Sequence, residues 1–206
     1  MAQHATRDDL PTPRTHPGEK FSSPLGSHRV KDELAQDLAR LALVLHEQPD
    51  VEQTAERLLE YVKETLAASH ASVVLVHRGG RLEPAAATDA LAEEADRLQV
   101  ETGDGPSHTA VQDGTSGVVL GDTRARWPAW SAQVAEIGVR SALSVRLRTP
   151  TTTVGTLNLY GRQVDRFTAK DLAVAHVVAD HAAVAVANAR NESTLWLAID
   201  ARKLIG

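Results

Sequence analysis

FTAKDLAVAHVVADHAAVAVANARNESTLWLAIDARKLIG (Phe167–Gly206) is the stretch whose reading decides the architecture. Thr168 stands where a helix N-cap would, and Asp171 three residues on completes an approximate capping box. No proline or glycine then interrupts the run before Gly206. Leu172, Ala175, Ala179, Ala182 and Val186 follow one face; Val174, Val177, Val178, Val184 and Ala185 occupy most of the remainder. A helix apolar nearly all round needs cover on two sides. A sheet of the same chain supplies one side, and a neighbouring helix, from this chain or a second copy, supplies the other. After Arg190 the pattern restarts with Leu195, Ala198, Ile199 and Ile205, as at the opening of a further helical module.

The composition fixes what that helix can pack against. Hydrophobic residues make up 42% of the 206 but aromatics only 3%, so the core is built from Ala, Val and Leu. A net charge of −5 and a pI near 6.0 argue against a nucleic-acid surface in these residues, DNA included. The N-terminus carries no hydrophobic signal segment, and no run of eighteen apolar residues is free of charge. The expectation is a soluble, cytoplasmic chain with no membrane partner. There is no Cys, which excludes disulfides, thiolate metal sites, iron–sulfur clusters and thioether-linked chromophores.

Working back from the closing helix, residues 1–27 hold four prolines and little apolar periodicity, and read as a disordered tail. Val30, Leu34, Leu38, Leu41, Val44 and Leu45 then recur at helical spacing over about 29–47. Gln48-Pro49 ends that helix, and Asp50, with Gln53 at the reciprocal position, starts another over about 51–69. The β-branched run Ala71–His77 turns through Arg78-Gly79-Gly80-Arg81 into Leu82–Ala87, a hairpin. Thr88 is placed to cap a short helix over about 89–98, and short elements follow at about 106–112 (helix) and 117–120 (strand). A helical pattern after Trp127-Pro128-Ala129-Trp130 ends at Gly138, and Arg140–Leu147 and Thr153–Tyr160 are two further strands. A helix pair, an antiparallel meander with a helical insertion and a closing helix make an α+β domain.

The ordered series Gly103-Asp-Gly-Pro106, Arg126-Trp127-Pro128, Gly138-Val-Arg-Ser141, Gly155-Thr-Leu-Asn-Leu-Tyr160 and Ala179-Asp-His-Ala-Ala183 resembles a GAF domain. In particular it resembles those of actinobacterial GAF–ANTAR transcription antitermination regulators. Leu195-x-x-Ala198-Ile199-x-x-Arg202-x-x-Ile205-Gly206 resembles the opening of the ANTAR part, a helical RNA-binding module of which the rest is absent here. The implied organisation is a sensor domain over 28–193 followed at 194–206 by the start of a truncated ANTAR domain. The resemblance implies a six-stranded antiparallel sheet, with the N- and C-terminal helices on one face and a pocket covered by loops and helices on the other. It also implies a homodimer through the terminal helices and RNA contact only through the missing module. Ser107 stands where relatives carry Cys, so no redox role transfers to it, and the pattern of cyclic-nucleotide-binding members is absent.

Strand alternation locates the pocket. Val154, Thr156, Asn158 and Tyr160 share one face of their strand, while Gly155, Leu157 and Leu159 share the other. The all-apolar set suits the terminal helices; the mixed set suits a pocket lined by a few polar groups. Ala142, Ser144 and Arg146 join it from the next strand, with Arg146 available to an anion or a surface ion pair. His77 at a strand end joins the candidate lining, as do the rings of Trp127 and Trp130, which either lid the pocket or anchor the insertion to the sheet. The dimer and signalling surface is assigned to Leu34, Leu38, Leu41, Leu45, Val174, Val178, His181, Ala185, Leu195 and Ile199. No nucleophile–base grouping, carboxylate pair or metal triad stands out, and His176 and His181 miss the i, i+4 spacing of one helical face. The chain therefore reads as a regulatory sensor and not an enzyme. It has no assigned cofactor, and its small-molecule ligand is unnamed. A ligand-free dimerisation scaffold is the alternative.

Overall fold

The computed structural model describes residues 25–113, 117–120 and 126–205, with side chains over 35–113 and 126–194. The tail assigned to 1–27 lies outside the described residues apart from its last three, and so do the side chains of Leu34, Leu195 and Ile199.

Two amphipathic helices come first, α1 (Leu25–His46) and α2 (Val51–Leu66). Asp50 caps α2, its Oδ1 accepting from the Gln53 backbone N–H at 2.8 Å. The strands are β1 (His70–Val76), β2 (Leu82–Ala87), β3 (Gly117–Leu120), β4 (Ser141–Arg148) and β5 (Thr153–Gly161). Between them lie α3 (Ala90–Thr102), α4 (Pro106–Gln112) and α5 (Pro128–Glu136), and α6 (Ala169–Ile205) closes the chain. The fold is α+β. All strand pairs are antiparallel, in the order β2-β1-β5-β4-β3. That is five strands among the described residues, the number the local patterns give and one fewer than the resemblance implies. The segment between β2 and β3 goes instead into α3 and α4, where Asp89 and Pro106 start helices.

Two local expectations are corrected. Asp89, not Thr88, caps α3, taking the backbone N–H groups of Leu91 and Ala92 on Oδ1. Thr88 instead accepts from the Ala71 N–H and ties the end of β2 to the start of β1. Val154 does not share the Thr156 face. It packs with the helices because the β4–β5 register shifts between Leu147 and Arg148, and a bulge of that kind re-aims a side chain.

The sheet separates two cores. On one face Leu143, Val145, Leu157 and Leu159 meet α1, α2 and α6 through Leu41, Leu45, Leu58, Val62, Val178, Ala182 and Val186. On the other, Ala142 and Tyr160 meet Ala92, Ala95 and Leu98 of α3 and Trp130 and Val134 of α5, with Trp127 beside them. Gly155 allows β5 to lie close to β1, since a Cβ there would sit 2.5 Å from the Val74 carbonyl oxygen.

The closing helix starts in the capping box its sequence encodes. The Asp171 N–H donates to Thr168 Oγ1 at 3.2 Å, and the Thr168 N–H returns to Asp171 Oδ2 at 2.8 Å. It then runs unbroken to Ile205, so the restart of the pattern after Arg190 marks no break in the helix. Its segment Ala169–Thr194, with mean hydropathy 1.4, is long and apolar enough to cross a membrane by length and composition alone, although charges at Asp171 and Asp180 interrupt it. Packing explains the apolarity: Ala175, Val178, Ala179, Ala182, Ala183 and Val186 are buried against the sheet and the helices.

Candidate functional site

The face of β5 that carries Thr156, Asn158 and Tyr160 is where the chain concentrates buried polarity. All three side chains are shielded from solvent, as are Ser144 on β4, Ser72 on β1, Asp96 and Gln99 on α3 and Ser107 on α4. In water such groups cost nothing; buried, each needs a partner. They find one another. Asn158 Oδ1 accepts from Ser144 Oγ at 2.7 Å and from Ser107 Oγ at 2.9 Å, while Thr156 Oγ1 donates to Ser107 Oγ at 3.2 Å. Asn158 Nδ2 donates to Asp96 Oδ1 at 3.1 Å, and the Tyr160 hydroxyl donates to the same oxygen. Gln99 bridges the two helices to the sheet. Its Nε2 donates to the Tyr160 hydroxyl at 2.8 Å, and its Oε1 accepts from the Ser107 N–H at 2.7 Å.

The carboxylate is the costly member. Burial pushes the Asp96 carboxyl up to about 6, although hydrogen bonds from Ser72, Tyr160, Asn158 and Gln99 pull the other way. The Tyr160 hydroxyl is raised well above its ordinary value, by burial first and by the neighbouring Asp96 charge second. Asp96 Oδ2 is buried with no hydrogen-bond partner among the described residues. Arg146, half-buried on the same face of β4 and opposite Thr156, has a buried Nε in the same condition. Among the described residues the face therefore holds a carboxylate oxygen without a donor and a guanidinium N–H without an acceptor.

The two tryptophans hold the cover in place. Trp130 Nε1 donates to the Ala95 carbonyl at 3.0 Å, and Trp127 Nε1 to Thr109 Oγ1 at 2.8 Å. Their rings meet edge to face at 6.0 Å, and Trp130 lies 6.2 Å from Tyr160. They pin α5 to α3 and α4 and do not line an open cavity. The Gly103–Pro106 turn contributes Asp104, whose Oδ2 accepts the Ala129 N–H at 3.2 Å.

Of the pocket residues expected from sequence, Ser144, Thr156, Asn158 and Tyr160 come together, Arg146 flanks them, and Trp127 and Trp130 brace the helices above. His77 does not belong with them. It sits past the end of β1, between Arg190, which donates to its Nδ1 at 3.3 Å, and Glu83, 3.1 Å from its Nε2. Asp96, Gln99, Ser72 and Ser107 were not among the candidates. Asp96 and Gln99 carry a weak signal, because they lie at i and i+3 on the face marked by Ala92 and Ala95.

The signalling surface also needs correction. Leu38, Leu41, Leu45 and Val178 point into the chain's own core, and Val174 is half-buried against it. The outward apolar residues are Leu43, Val44, Val177 and Val184. A groove of about 540 Å³ between α1 and α6 joins Leu43 and His46 to His181, Val184 and Ala185.

Comparison with known proteins supplies the family context. A family model described as GAF domain matches residues 48–187. The GAF domain of an Acinetobacter phosphoenolpyruvate-protein phosphotransferase superposes with a TM-score of 0.62 at 13% identity, over 79% of this chain and 98% of that one. The free methionine-R-sulfoxide reductase of Neisseria meningitidis, solved with its substrate, gives 0.59 at 19% identity over 77% and 90%. A domain of a putative two-component sensor histidine kinase from Sinorhizobium meliloti 1021 gives 0.56 at 18% over 68% and 92%. Among curated proteins none matches in sequence.

Proposed function

The chain belongs to the GAF domain family, and from that premise we propose that it is a sensory domain whose output travels along α6. The observation that carries this reading is the layout of β5. Asn158 lies under α3 and α4 on one face, while its neighbours Leu157 and Leu159 lie under the helical layer on the other. A ligand that satisfies Asp96 Oδ2 and Arg146 Nε must displace or reorder α3 and α4, and any shift of β5 reaches α6 directly. Signalling requires only that such a ligand bind two arrangements with different affinity. The resemblance of Leu195–Gly206 to an ANTAR opening makes transcription antitermination the output, with RNA bound by a module after residue 206. The acting unit is a cytoplasmic homodimer paired through α1 and α6, with the sensor spanning 28–193.

The role is regulatory and not catalytic. One fold neighbour is a sulfoxide reductase, but this chain has no Cys to supply the thiolate such a reduction would use. The test is terminator readthrough by a protein carrying this chain followed by an ANTAR module. Deleting residues 31–190 should alter readthrough; equal readthrough with and without them defeats the regulatory reading.

A second reading has its own support: the face beneath α3 and α4 is filled by protein side chains, as a ligand-free dimerisation scaffold requires. Native mass spectrometry separates the two. Dimers that carry no small molecule, from cells and after incubation with extracts, favour the scaffold.

A further inference from the structure

The hairpin β1–β2, the β4–β5 turn and α6 border an open cleft of about 650 Å³ that shares no residue with the Asp96 network. That volume falls within the range of small-molecule sites, roughly 300–1,000 Å³. Its lining is cationic in a chain whose net charge is −5: Arg78 and Arg81 come from the hairpin and Arg190 from the helix. Beside them Glu83 is already engaged by Arg81 at 2.8 Å and lies 3.1 Å from His77 Nε2.

The donors left over decide what fits. Arg190 uses Nη1 to hold the Val76 carbonyl at 2.9 Å and Nη2 to reach His77 Nδ1 at 3.3 Å. A guanidinium has five N–H donors, so about three remain. No carboxylate among the described residues pairs with Arg78 or Arg190. The Thr153 residue on β5 and Thr194 on α6 also line the wall. Thr194 Oγ1 donates to the Arg190 carbonyl at 2.8 Å, so the guanidinium groups are the donors offered to a ligand, and their forks match the oxygens of a phosphate group better than any neutral ligand.

We propose that this cleft binds a small phosphate-bearing anion, held by Arg78 and Arg190, where Arg190 ties α6 to the end of β1. The site is separate from the α3/α4 face and does not depend on the sensory reading. Isothermal titration of the full 206-residue chain with inorganic pyrophosphate at low ionic strength tests it. Saturable one-to-one binding is expected, weakened at least tenfold by Arg78→Gln. Arg78 is exposed on a turn and holds no structural hydrogen bond, so that variant should fold. Arg190→Gln should weaken binding at least as much, with circular dichroism confirming its fold. Arg57→Gln, on α2 and paired with Glu60, should bind as the unmodified chain does. The proposal is overturned by absence of saturable binding, or by equal weakening in Arg57→Gln. It is also overturned if a single-stranded oligonucleotide binds where pyrophosphate does not.

Discussion

Asn158 donates from Nδ2 to Asp96 Oδ1 across 3.1 Å, joining the central strand β5 to helix α3 where neither side chain touches solvent. A carboxylate in that position is stabilised by its donors and penalised by its burial, and the penalty is the larger effect.

Stability should therefore depend on pH through Asp96. Its carboxyl rises from the ordinary 3.8 to about 6 on folding, so between those values the folded chain binds more protons than the unfolded chain. The stabilising contribution is complete below about pH 4 and lost as pH rises through about 6, a change on the order of 3 kcal/mol. Asp96→Asn lacks this titration. Urea unfolding at pH 7.5 and 4.5 should show the unmodified chain gaining on Asp96→Asn at the lower pH; a constant difference refutes the assignment.

Trp130 is fully buried, and its indole N–H occupies the Ala95 carbonyl. Trp130→Ala should cost about 3–5 kcal/mol in urea unfolding, the usual range for deleting a buried ring. Trp130→Phe retains most of the packing and should cost less, about 1–3 kcal/mol for the carbonyl left without its donor.

Gly155→Ala would put a methyl group 2.5 Å from the Val74 carbonyl oxygen, and backbone cannot yield as a side-chain tip does. The β1–β5 ladder should separate locally, with a loss of about 1–3 kcal/mol and faster amide exchange at Val74 and Leu157. Unchanged exchange would mean that the strands are not so close.

The groove between α1 and α6 leaves Leu43 at 67% and Val184 at 52% exposure, side by side with Ala185. Sedimentation should find a dimer for the unmodified chain and a folded monomer for the Leu43→Glu/Val184→Glu double variant. A monomer in both cases removes this groove as the pairing surface.

How much of this was legible follows from which patterns leave a trace in sequence. The strands and helices appear in the expected order, because β-branched alternation around Asn158 and the breakers at Pro49, Gly79–Gly80 and Gly103–Pro106 are local signals. Alternation also put Thr156, Asn158 and Tyr160 on one face. It could not show that Asp96 closes that face, since an Asp in an Ala- and Glu-rich helix reads as solvent-facing. The position of His77 leaves no such trace, because a strand-end residue can fall on either side of the sheet. Leu38, Leu41 and Val178 suit an interface on sequence alone for a related reason: periodicity marks an apolar stripe without saying whether its cover comes from the same chain.

The length of α6 has a mechanical consequence. At 1.5 Å per residue its 37 residues extend about 55 Å, of which the part beyond Arg190 accounts for about 22 Å. Arg190 fastens the helix to the Val76 carbonyl at that division, which makes the contact a fulcrum and the distal part a lever arm. A tilt of about 10° there sweeps the tip by about 4 Å, comparable to a strand-to-strand spacing of about 4.8 Å. Whatever loosens or tightens one guanidinium at the pivot is thereby magnified into a displacement large enough to realign the residues at the helix end.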